Sequence, residues 1–175
     1  MRNDTAKWPA PAVGPRGQVQ AQGITLDQIT LPRQVLISGP RDAAMALAGT
    51  TQATGWPDVA MGDHYALSLR RDRILMVGGQ IDSFGWRADV GLATSDIGTG
   101  YTVFSLQGPR AEKVLRTGTE LSEKIPSASC LRLWNGYDIL LYRHTATDRY
   151  LLHVGSALAE GLWDMLNRQI RMVSA

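Results

Sequence analysis

Two stretches of this chain carry the same unusual order of residues. Leu31 to Leu47 reads LPRQVLISGPRDAAMAL, and Tyr101 to Leu115 reads YTVFSLQGPRAEKVL. Each sets Gly-Pro-Arg between an apolar run and a helical pattern. Proline fixes φ and has no N–H, so it interrupts a strand or a helix interior but suits the first turn of a helix, whose N–H groups lack partners anyway. The glycine before it allows a sharp change of direction. Any fold of this chain must therefore make two strand-to-helix corners, at Gly39-Pro40-Arg41 and Gly108-Pro109-Arg110.

The residues around each corner extend the likeness. In the first half, Leu31 to Ile37 is a predicted strand. Ala44, Leu47 and Ala48 form a small apolar helix face, with Asp42 in the first turn and Gly49 as the stop. Tyr65 to Leu69 alternates, Arg70 to Arg73 turns, and Ile74 to Val77 returns as a hairpin. In the second half, Thr102 to Leu106 is a strand, Ala111, Val114 and Leu115 share a helix face, and Gly118 stops it. Cys130 to Trp134 and Tyr137 to Tyr142 flank Asn135-Gly136, the pair favoured in a type I′ hairpin turn. Tyr150 to Val154 is a further strand. Ser156 caps a final helix from Ala157 to about Met172, with Leu158, Leu162, Met165 and Leu166 near one face.

The hairpin turns near Arg71-Asp72 and Asn135-Gly136 recur at nearly the spacing of the corners, and the difference falls in loops, where length costs little. The fold class is α+β: two small strand-helix-hairpin lobes form antiparallel sheets with helices packed on one face, and a C-terminal helix closes the chain. Residues 1–23, with Pro9, Pro11 and Pro15, read as a flexible N-terminal arm, residues 24–78 as the first lobe, 79–100 as a glycine-rich linker, and 101–175 as the second lobe.

Composition excludes several classes. The formal net charge is +2, and the charges are scattered, which argues against a nucleic-acid surface. No apolar run approaches the ~18 residues a membrane span needs. The first residues lack the apolar centre of a secretory signal. A single cysteine, Cys130, allows no internal disulfide and fits a reducing cytoplasm.

Residues suited to chemistry are present but do not converge. Pairing across the last hairpin sets His144 opposite Arg149 and His153 opposite Leu140, about 13 Å apart at ~3.3 Å per residue, too far for one metal. The pair reads as sheet-surface or interface histidines. Cys130 has no local base and reads as a small buried residue. Asp63 and His64 are adjacent on an extended segment, so their side chains diverge. The corners are poor phosphate loops, since each has one glycine and a proline that removes a donor. No catalytic, cofactor-binding or metal site is therefore expected within the chain. The tryptophans are more informative. Trp8, Trp56 and Trp86 fall in predicted tails and loops, where a lone chain would leave them partly wet, and tryptophan is favoured at interface hot spots. With Arg41 and Arg110 at the corners, they are the candidate partner-interface residues. Arg70, Arg71 and Arg73 mark a solvated hairpin tip or a contact to an acidic partner.

The second half resembles the small gamma subunit of heterotetrameric sarcosine oxidase, a family grouped with the folate-binding aminomethyltransferases (glycine cleavage T protein). The resembling residues are Thr94-Ser95-Asp96, Phe104 to Ala111 with Val114-Leu115, Leu140 to His144, Tyr150 to Val154, Ala159 and Leu162-Trp163. The resemblance implies a non-catalytic assembly subunit of a complex that oxidatively demethylates an N-methyl amino acid. It implies larger alpha-like and beta-like flavoprotein subunits as partners, carrying FAD, FMN, NAD and tetrahydrofolate, with no cofactor in this chain. Related N-methyl amino acid dehydrogenases use a similar small subunit. A free-standing folate-binding one-carbon protein is the other reading within the group.

Overall fold

The computed structural model describes residues 17–81 and 83–174. Trp8 and most of the expected arm lie outside them. Within the first half, β1 (Val19–Ala21) and β2 (Ile24–Ile29) form a hairpin, followed by β3 (Gln34–Ser38), α1 (Arg41–Ala48), the short β4 (Ala53–Thr54) and β5 (Val59–Ala60), then β6 (Tyr65–Arg70) and β7 (Arg73–Val77). The second half begins with another hairpin, β8 (Gly85–Arg87) and β9 (Leu92–Asp96). It continues through β10 (Tyr101–Gln107), α2 (Ala111–Leu115), β11 (Leu131–Trp134), β12 (Tyr137–His144) and β13 (Ala146–Gly155). One 3-10 turn, Ser156–Leu158, leads into α3 (Ala159–Ser174).

The strands make two sheets that exchange their leading hairpins. One sheet runs β1-β2-β10-β13-β12-β11, with β5 added beside β12. The other runs β4-β6-β7-β3-β9-β8. Thus β2 leaves the first half and pairs with β10, joining Leu26 to Leu106. In return β9 pairs with β3, joining Thr94 to Ile37. The glycine-rich stretch 79–100 holds both β8 and β9. All pairings are antiparallel except the two-residue contacts of β4 with β6 and β5 with β12.

Packing produces four layers. Alternation along β6 sends Tyr65, Leu67 and Leu69 to one face and Ala66 and Ser68 to the other. The first set meets Val103, Leu140, Tyr142 and Leu151 of the opposite sheet, and this is the layer between the sheets. On the outer side, Ala44 and Ala48 of α1 pack over Val35, Ile37, Ala66 and Ile74. The small residues let this helix approach closely. α1 ends at Gly49, whose φ of 64° turns the chain left-handed and returns its N–H to Ala46 O. On the far side, Leu162, Trp163, Leu166 and Ile170 of α3 pack with α2 over Phe104, Leu141 and Leu152. Burying each such side chain contributes ~1.5–3 kcal/mol before the entropy of ordering it.

The two corners are structural equivalents. Gly39 N–H donates to Asp72 O at 2.9 Å, and Gly108 N–H donates to Asp148 O at 3.0 Å. This corrects the expected matching of hairpins. The counterpart of β6–β7 is β12–β13, and the Asn135-Gly136 turn instead joins β11, an added edge strand, to β12. Its backbone is the expected one, with φ of 47° and 87°. At both corners a glycine is required for space. A Cβ on Gly39 would lie 2.5 Å from Gly91 O, in the β8–β9 turn, and one on Gly108 would fall on Gly23 O, in the β1–β2 turn. Each corner is wedged against the hairpin received from the other half.

Candidate functional site

The exchanged hairpins have opposite surfaces. In β1–β2, Gln18 donates to Asp27 at 2.9 Å and Gln20 donates to Gln18. Helix α3 packs beside β1, and Val19 and Ala21 rest against the core below it. In β8–β9, Trp86 pairs with Ala93 where the other hairpin pairs Gln20 with Thr25. Trp86 is 69% exposed, Phe84 43% and Val90 39%. Among the described residues no helix covers β8, the last strand of its sheet. Arg33 lies over the Phe84 ring, 5.4 Å from its centre, and pairs with Asp96 at 3.6 Å. An apolar cluster with a charged rim at a sheet edge is the surface a protein partner would cover.

Trp56 differs from its expected place. It is 2% exposed and stacks on Tyr150, with ring centres 6.3 Å apart. Its indole N–H donates to Ser122 O at 2.9 Å. The Arg143 guanidinium lies 4.8 Å from the Trp56 ring centre and donates to Glu123 at 2.7 Å and Glu112 at 3.4 Å. Tyr150 O–H also donates to Glu112, at 3.1 Å. Burial alone would raise the Glu112 carboxyl, but the bonds from Arg116 and Tyr150 and the nearby arginine charges outweigh it, and its pKa is lowered. This nest fastens a loop of the first half onto the second. Arg143 was not singled out in the sequence. A charged residue inside the buried run Leu140-Leu-Tyr-Arg-His144 was the signal that an internal partner exists.

A second buried polar group lies between the sheets. Tyr65 O–H and Tyr142 O–H are 2.8 Å apart, and Tyr142 Oη is 3.0 Å from His153 Nε2. His153 is fully buried, not a surface residue, although it faces Leu140 as expected. Desolvation pushes its pKa down to about 3, so the ring is neutral, and pushes Tyr65 up to about 12. His144 is held apart from it: its Nε2 bonds to Gly62 O at 3.0 Å and its Nδ1 accepts from Arg149 at 3.1 Å. A bulge after Arg143 moves His144 opposite Ala146 instead of Arg149. Cys130 is sealed in the same layer, and burial pushes its thiol up to about 12, far from a reactive thiolate. Among the described residues no group of His, Cys, Asp or Glu is arranged to hold a metal.

The corner arginines go separate ways. Arg41 donates to Ser68 Oγ at 3.1 Å, at the foot of α1. Arg110 donates to the Gln22 side chain in the β1–β2 turn. Among the described residues, neither arginine bonds to Trp86 or Phe84, and Trp56 is buried away from them.

This two-sheet, four-layer arrangement is the fold of a class that includes a sarcosine oxidase chain and an aminomethyltransferase. The first likeness is to a chain of the heterotetrameric sarcosine oxidase from Corynebacterium sp. U-96, solved in complex with pyrrole 2-carboxylate. It covers 90% of this chain and 88% of that one, with a TM-score of 0.65 and 16% identity. The second is to the glycine cleavage system aminomethyltransferase T from Bartonella henselae. It covers 83% of this chain but 46% of that one, with a TM-score of 0.53 and 14% identity. No protein-family model matches the sequence, and no curated protein is similar to it. At these identities the likeness establishes the fold. No helix among the described residues is long and apolar enough to cross a membrane.

Proposed function

We propose that this chain is a small non-catalytic assembly subunit of a sarcosine oxidase-like heterotetrameric flavoenzyme. The complex would oxidatively demethylate an N-methyl amino acid in the cytoplasm, with tetrahydrofolate as one-carbon acceptor. The carrying observation is mutual coverage: the chain spans nearly all of one chain of a heterotetramer but less than half of the aminomethyltransferase. The bare aromatic hairpin at Phe84 and Trp86 supports a protein partner. The state of the reactive side chains supports a non-catalytic role, since His153 is buried and neutral and the Cys130 thiol is pushed far from ionisation. In this reading FAD, FMN, NAD and tetrahydrofolate sit in the alpha-like and beta-like partners. A small subunit of an N-methyl amino acid dehydrogenase is the same proposal with a different electron acceptor.

The likeness to an aminomethyltransferase favours a second reading, a free-standing folate binder. Calorimetric titration of the full chain with tetrahydrofolate separates the two. The assembly reading expects no saturable heat from the chain alone. Stoichiometric micromolar binding would replace it with the second reading.

A further inference from the structure

Arg33, Arg87, Arg116 and Arg143 each pair with a carboxylate. Arg41, Arg70 and Arg71 do not have such a partner among the described residues, although Asp42 and Asp72 are their chain neighbours. These three arginines nevertheless line one hollow of about 360 Å³, together with Ser68, Ala128 and Ser129. Two elements of the first half and one segment of the second build it. Arg41 opens α1, Arg70 and Arg71 turn from β6 toward β7, and residues 128–129 run beside β6, where Ser129 Oγ donates to Leu69 O at 2.6 Å.

Ser68 lines the same hollow. It is 2% exposed, and its hydroxyl oxygen accepts from Arg41. A hydroxyl that accepts one bond can still donate its proton. Arginine forks bind planar or tetrahedral oxyanions in paired hydrogen bonds, and such charge-assisted bonds are about twice as strong as neutral ones. Arginine methylene stems and Ala128 provide apolar walls for the rest of a small molecule.

We propose that this hollow binds a small molecule through an oxyanion, a phosphate or carboxylate group held by Arg41, Arg70 and Arg71 with Ser68 as a further donor. The inference does not depend on the proposed function, because it is argued from the lining of this hollow and not from the Phe84–Trp86 hairpin. The test is titration of the full chain with inorganic phosphate, and separately with citrate, at ionic strength held constant with sodium chloride. Calorimetry gives affinity, and the arginine Nε–H resonances give location. Saturable binding of either anion is expected, with the resonances of the three arginines moving together. Arg41→Gln and Arg71→Gln should each weaken it at least tenfold without changing Tm, and Ser68→Ala should weaken it less. Saturation by phosphate alone or citrate alone identifies the group preferred. Shifts that rise linearly without saturation, an unchanged affinity in both arginine variants, or saturation only by an oligoglutamate peptide would each overturn the proposal. The last result would assign the hollow to an acidic protein segment.

Discussion

The corners at Gly39-Pro40-Arg41 and Gly108-Pro109-Arg110 have one sequence and one backbone role, yet their surroundings diverge. Each uses its glycine N–H to reach the carbonyl of an aspartate in the adjoining hairpin, and each is wedged against a turn exchanged from the other half. Beyond that, the second corner is internalised. Its helix α2 is five residues long and delivers Glu112 to Arg143, Arg116 and Tyr150. The first corner stays open, with Arg41 on a serine and two unpaired arginines beside it. The hairpins differ in the same sense, since β1–β2 is polar and flanked by α3 while β8–β9 leaves Trp86 bare. A duplicated architecture has thus been closed at one corner and left open at the other.

Changes at the shared wedge should have the largest effects. Gly108→Ala forces a Cβ onto Gly23 O at a φ of 119°, and should cost more than about 3 kcal/mol or prevent folding. Gly39→Ala, with a slightly looser contact, should cost somewhat less. Chemical denaturation checks both, and alanine tolerated without loss at either site would contradict the shared wedge. Next comes the difference between the corners. Arg143→Met leaves Glu112 and the Trp56–Tyr150 stack without their cation, and should cost about 2–3 kcal/mol. Arg41→Met should change stability by less than about 0.5 kcal/mol. Similar losses at the two positions would mean that the first corner is as closed as the second.

The layer between the sheets offers a test by pH. His153 has a folded pKa of about 3 against an ordinary value of 6.5, so below 6.5 the unfolded chain takes up a proton that the folded chain refuses. Stability is intact above 6.5 and falls as pH drops toward 3, by up to about 1.4 kcal/mol per pH unit in the middle of that window. His153→Phe should flatten the slope between pH 6.5 and 4.5, above the range where carboxylates dominate. An unchanged slope would show that His153 is not the group responsible.

Much of the fold was legible where the signals are local. Proline and glycine marked both corners, Gly49 marked the end of α1, and Asn135-Gly136 marked its turn, because each residue acts on its own backbone. The exchange of hairpins was not legible. Alternation tells which side chains share a face, but it carries no label for the neighbouring strand, so nothing local assigns β2 or β9 to the opposite sheet. The hairpin match differs for a related reason: Asn135-Gly136 is the strongest turn sequence, while the turn equivalent to Arg71-Asp72, at Thr145, has no glycine. At the candidate sites, Trp86 was legible as a tryptophan in a glycine-rich stretch. Trp56 came from an equally loop-like context, but Arg143, distant in sequence, covers it.

A small expected effect on stability accompanies the most direct test of function. Phe84→Ala with Trp86→Ala should leave the fold within about 1 kcal/mol of wild type, since Trp86 is largely in water and Phe84 is 43% exposed under Arg33. Native mass spectrometry of the tagged full chain, recovered from its own cell, compares this variant with wild type. The wild-type chain is expected in a complex with larger flavin-bearing subunits, and the folded double variant is expected alone. A wild-type chain that emerges as a free monomer would contradict the assembly role, and a variant that still enters the complex in full would contradict the assignment of the open hairpin as its docking surface.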